Sequence, residues 1–102
     1  MSIIYSILED ELSRLDALRK LYEKERSRLP RGSLCVKRRA NNTYLYLAHR
    51  EEGRVVQRYV CRGNDSKAQE IRQLVERRMR YDIDIKAIDG DMRRIRKMLN
   101  VR

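Results

Sequence analysis

The spacing of apolar residues changes twice along this chain, and each change dictates a different secondary structure. Ile4, Leu8, Leu12, Leu15, Leu18, Tyr22 and Leu29 recur at the three-and-four steps of one helical face. Between Ser33 and Arg62 the pattern becomes period two, in stretches rich in Val, Tyr, Thr and Leu. From Ile71 the steps return to three and four, through Leu74, Arg78, Tyr81, Ile85, Ile88, Met92, Ile95 and Leu99, the seam of a coiled coil. The chain therefore reads as one α+β domain over residues 1–102, with a helix within 1–30, a three-stranded sheet within 33–62 and a second helix within 66–100.

Local signals set the boundaries. Ser2, or Ser6 with Glu9, can cap the first helix, which the pattern predicts over 3–29. Pro30 drives Leu29 out of helical geometry and Gly32 follows it. The strands are expected at Leu34–Arg39, Thr43–Arg50 and Arg54–Cys61, joined by two-residue turns at Asn41-Asn42 and Glu52-Gly53. Those turns place Val36 opposite Leu47, Lys37 opposite Tyr46, Leu45 opposite Val60 and Tyr46 opposite Tyr59. One sheet face collects Leu34, Val36, Leu45, Leu47, Val56 and Val60; the other collects Lys37, Arg39, Tyr44, Tyr46, Arg50, Gln57 and Tyr59. A bulge at Gly53 would flip the third strand.

Ser66 with Gln69 reads as the capping box of the second helix, about 50 Å long at 1.5 Å per residue, and Gly90 falls off its seam. The two long helices are expected to pair as a coiled-coil hairpin with the sheet at one end. The last turns of the second helix are expected to outrun the first, leaving an apolar overhang suited to a homodimer.

Charge decides which partners are plausible. The 102 residues hold 25 Lys+Arg against 15 Asp+Glu, a formal net charge of +10. Residues 1–29 are neutral, and the excess divides equally between 30–65 and 66–102. Arg dominates, and its guanidinium fork matches phosphate oxygens. Such a chain suits a polyanion or, on a bland reading, is merely well solvated. No stretch is long and apolar enough to span a bilayer, and Met1–Leu8 carries no secretory signal, so a cytoplasmic location is expected.

Catalytic groupings are not readable. His49 is the one histidine, and no nucleotide-binding fingerprint occurs. Asp82, Asp84, Asp89 and Asp91 lack calcium-loop spacing and are expected to pair with Lys86, Arg93 and Arg94. Cys35 and Cys61 fall on the two outer strands, too far apart for a disulfide and too few for zinc. Neither enzyme, metal nor cofactor is expected.

Two candidate surfaces remain. Lys37, Arg39, Tyr44, Tyr46, Arg50, Arg58 and Tyr59 could bind nucleic acid, rings stacking on bases and cations meeting phosphates. The same tyrosines could instead be core. On the second helix, Arg77, Arg80, Arg93, Arg94 and Lys97, with Arg78, Arg96 and Arg102 near them, form either a backbone-tracking ridge or a charge pattern favoured by the helix dipole.

The stretch Arg31-Gly32-Ser33-Leu34, Tyr44-Leu45-Tyr46-Leu47, Arg50 to Val55, Tyr59-Val60 and Gly63 resembles the three-stranded, AP2-like arm-binding domain of phage integrases over about residues 32–80. Ser66-Lys67-Ala68 approximates the motif that opens that family's helix; the long first helix and the missing recombinase domain depart from it. The Leu-Pro-x-Gly-Ser-Leu start and Tyr-x-Tyr-Leu strand also resemble small prophage proteins of Firmicutes. The resemblance implies a phage or bacterial mobile-element protein, and the charge confined to residues 30–102 makes DNA or RNA binding without catalysis the expected function. The alternative it raises is an anti-CRISPR-type inhibitor docking on a nuclease or its guide RNA, and a third reading is a coiled-coil assembly protein.

Overall fold

The computed structural model describes residues 2–101; Arg102, counted above with the basic helix end, lies outside them. The order is α1 (Ile3–Ser27), β1 (Ser33–Arg39), β2 (Asn42–Glu51), β3 (Arg54–Arg62) and α2 (Ser66–Asn100), an α+β arrangement with one antiparallel sheet ordered β1-β2-β3. The fold divides into a helical unit, α1 with α2 from Arg80 onward, and a sheet unit, Leu29–Met79.

In the helical unit, Leu15, Ile88, Met92 and Ile95 are buried, and Leu8, Leu12, Leu18, Tyr22 and Leu99 pack around them. Burying side chains of this kind contributes roughly 1.5–3 kcal/mol each. The rings of Tyr22 and Tyr81 meet at 5.4 Å. Two ion pairs flank the seam, Arg19 to Asp89 at 2.5 Å and Arg26 to Asp82 at 2.8 Å. Both fix the same antiparallel register, which sets Asn100 level with Leu8. The overhang therefore belongs to α1: Ile3 is 79% exposed, and Ile4 and Ile7 are exposed beside it. The expected overhang of α2 is corrected accordingly. Ile4, expected on the seam, is exposed, with none of the described residues level with it on α2.

The ends of both helices also differ from the sequence reading. Ser2 occupies the N-cap of α1 in extended geometry, but its hydroxyl makes no capping bond, and Ser6 lies inside the helix. The helix stops at Ser27, two residues early, where the Ser27 hydroxyl donates to the Lys24 carbonyl at 2.6 Å. Asp65, not Ser66, caps α2: its Oδ1 accepts the Lys67 amide at 2.9 Å. A carboxylate there satisfies an orphan donor and also opposes the positive end of the helix dipole.

In the sheet unit the first turn is Ala40-Asn41, and Val36 faces Leu45 while Lys37 faces Tyr44. The Asn41-Asn42 turn is thus wrong by one position and the register by two, a shift that leaves every side chain on its expected face. Ala40 adopts φ +54. The second turn is Glu52-Gly53 as expected, and Tyr46 faces Tyr59. A bulge between Leu45 and Tyr46 then sets Cys61, not Val60, opposite Leu45. The aliphatic face is the packed one: Leu45, Cys61 and Ala68 of α2 are buried together, with Leu34 and Val60 against them.

The segment between α1 and β1 is fixed by two contacts. Arg78 donates from Nη1 to the Leu29 carbonyl at 2.8 Å. Gly32 lies at φ +117 so close to β2 that an added Cβ would fall 2.6 Å from the Ala48 carbonyl oxygen. At the other end, Gly63 donates its amide to the Thr43 carbonyl at 2.8 Å, extending the β2–β3 ladder past the bulge.

These geometries set two expected outcomes. Ala40→Gly relieves a left-handed alanine and should stabilise the chain by about 1 kcal/mol, a rise of several degrees in Tm; Gly32→Ala should lower Tm, and by more, because it adds a backbone clash to a strained φ. The Arg19 guanidinium holds the Asp89 carboxyl below the usual carboxylate range, chiefly by hydrogen bonding. A depressed carboxyl contributes stability at neutral pH that is lost as pH falls through its folded-state pKa. Asp89→Asn should therefore lower Tm at pH 7, and the gap from the native chain should close on acidification toward pH 3.

Candidate nucleic-acid interface

Alternation along the three strands builds the tyrosine face. Tyr44 and Tyr46 share one side of β2; pairing brings Lys37 beside Tyr44, Cys35 and Tyr59 beside Tyr46, and Arg62 beside Tyr44. Ring centroids of Tyr46 and Tyr59 are 5.5 Å apart in an edge-on arrangement, and those of Tyr44 and Tyr59 are 6.3 Å apart. The Lys37 ammonium lies 4.6 Å above the Tyr46 ring, a cation–π contact. Tyr59 is 51% exposed, and Arg39, Arg50, Gln57 and Arg62 are exposed on the same face. Because α2 packs on the aliphatic face, these tyrosines are not the buried core of the sheet.

The charge of this face is of one sign. Lys37, Arg39, Arg50 and Arg62 alternate onto it, and no Asp or Glu does. None of the four cations has a carboxylate partner among the described residues. Along α1 the pattern is different. Arg14, Arg19, Lys20, Arg26 and Arg28 are all ion-paired, and Arg94 pairs with Asp91 at 2.7 Å. Asp82 and Asp89 reach across to α1 instead of to their own helix; the expected Asp91–Arg94 pairing is present.

The structure brings some of the expected site residues together and separates others. Lys37, Arg39, Tyr44, Tyr46, Arg50 and Tyr59 share one surface. Arg58 pairs with Leu47 and so lies on the aliphatic face, a correction that follows from strand parity. Arg77 is exposed on α2, which packs on that same aliphatic face. Arg80, Arg93, Arg94 and Lys97 are exposed on the helical unit, with Arg80 4.0 Å from Asp84 and Arg93 near Asp89. Arg62 was missed: only the bulge turns it onto the tyrosine face, and nothing in the local sequence marks that bulge.

Cys35 and Cys61 are free, half-buried on the tyrosine face and buried under α2 respectively. A thiol reagent should accordingly modify one cysteine quickly in the native chain and the second only on unfolding. Cys35→Ser should abolish the fast reaction; two fast thiols would mean that α2 does not cover the aliphatic face.

No curated protein and no solved structure matches the chain. A family model described as a domain of unknown function matches residues 8–73, from α1 through the whole sheet to the opening turns of α2. That description names no ligand, activity or source, so the integrase and prophage resemblances draw nothing from it. The match spans more than half of the sequence, and the chain belongs to the DUF6788 family.

Proposed function

We propose that this is a non-catalytic nucleic-acid-binding protein that works through the tyrosine face of its sheet. The carrying observation is the coincidence of three clustered tyrosines with four cations that have no carboxylate partner among the described residues. Cations gathered on one face repel one another, and a surface whose purpose was solubility would intersperse both signs. Phosphates relieve that repulsion by replacing condensed counterions, while half-exposed rings accept bases by stacking. Arg93, Arg94 and Lys97 on α2 add attraction that salt screens over about 8–10 Å.

A second reading, self-assembly through the helical unit, is favoured by the exposed Ile3, Ile4, Ile7, Met98 and Val101. Light scattering separates it from the first, since a dimer that ignores polyanions is not a nucleic-acid binder.

Fluorescence anisotropy with labelled single strands and duplexes of DNA and RNA tests the proposal. Neutralising four phosphates predicts a log–log salt slope of about −3 on single strands. Tyr59→Ala should weaken binding by about 1–3 kcal/mol. Arg50→Glu should weaken it and flatten the slope, whereas Arg58→Gln should leave this binding near the native value. Undetectable binding to all four probes at low salt sinks the proposal.

A further inference from the structure

Beyond the part of the aliphatic face that Ala68 covers, the sheet opens into a cavity of about 310 Å³ lined by Pro30, Arg31, Leu47, His49 and Arg58. Parity explains the grouping. Leu47 and His49 follow Leu45 on the same side of β2, and Arg58 is paired with Leu47. β1 begins opposite Ala48, so the segment before it brings Pro30 and Arg31 alongside His49.

The chemistry of this cavity is specific. Its two guanidinium groups are exposed and have no carboxylate partner among the described residues. The imidazole is largely buried, its side chain 18% exposed, with Nε2 3.7 Å from Glu51 Oε2. Pro30 and Leu47 supply an apolar floor. Two planar forks can each chelate phosphate oxygens in bidentate fashion, and a terminal phosphate carries nearly two negative charges against their two positive ones. The volume is at the small end of ligand sites and fits one nucleotide, not a base pair. Arg31 and His49 also line a neighbouring cavity that includes Arg50 of the tyrosine face, so a strand end leaving that face meets them next.

We propose that this cavity binds a phosphate monoester on a single nucleotide, either free or at the phosphorylated end of a strand. Arg31 and Arg58 hold the phosphate, His49 donates to it, and Leu47 with Pro30 supports the nucleoside. The proposal does not depend on the tyrosine face, because its lining lies on the other side of the sheet or beside it.

His49 is the single histidine, so its imidazole NMR signals are unambiguous in the full chain. At fixed pH, AMP should move them to saturation at millimolar concentration, while adenosine should not. Arg31→Gln with Arg58→Gln should weaken that response at least tenfold; both are exposed positions, and circular dichroism checks that the fold persists. Tyr59→Ala should leave it unchanged. A response to a 5′-phosphorylated oligothymidine but not to its 5′-hydroxyl form assigns the strand end as a ligand, and a response to AMP without it assigns the free nucleotide. Failure of AMP to move His49, equal movement by adenosine, or equal saturation by inorganic phosphate overturns the assignment. If oligonucleotides fail to bind the tyrosine face while AMP still moves His49, only the earlier reading falls.

Discussion

Ala68 on α2 is 2% exposed because Leu45 and Cys61 close over it, and Leu45 itself is fully buried. A methyl group at that point lets the helix approach the sheet closely, and the Asp65 cap just before it fixes where the helix starts. This contact chooses between two sheet faces that both carry large side chains. Once the aliphatic face is taken, alternation leaves Tyr44, Tyr46 and Tyr59 on the other. The rings then satisfy one another edge to face and carry a lysine on top, so the surface is ordered without being covered.

Charge is handled differently in the two units. Along the helical pair, carboxylates stand within a turn of arginines or across the seam from them. Such exposed pairs are worth little individually, but those that cross the seam fix its register. The sheet has no equivalent: between Ser33 and Arg62 the acidic residues are confined to Glu51 at the end of β2 and Glu52 in the turn after it. A sheet face that is uniformly basic costs some repulsion in the free state, and any polyanion that binds removes it.

Much of this was legible in the sequence, because periodicity survives small errors. Leu8 to Tyr22 and Ile85 to Leu99 announce two apolar stripes, and tyrosines at alternate positions announce a common face whatever the register. What escaped depends on single backbone angles or on distant partners. Nothing in Ala40 suggests a left-handed turn residue when two asparagines follow it. Asp65 and Ser66 are both acceptable caps, and only the bond to Lys67 decides. The side taken by Arg62 is set by a one-residue bulge near Leu45, whereas that of Arg58 follows from parity with Leu47. The overhang required the inter-helix register, which Arg19 and Arg26 set through carboxylates far away in the chain.

The displaced first turn has a consequence for how the chain reaches its native state. Slipping the β1–β2 hairpin by two residues would keep every face intact and put Asn41-Asn42, a better turn pair than Ala40-Asn41, at the corner. Local preference and global fold therefore disagree at this hairpin, a point of frustration in an otherwise consistent sequence. Gly32 resolves it: only the native alignment seats its bare backbone against the Ala48 carbonyl. The glycine acts as a register pin, and a chain collapsing before that contact forms has a competing hairpin to escape.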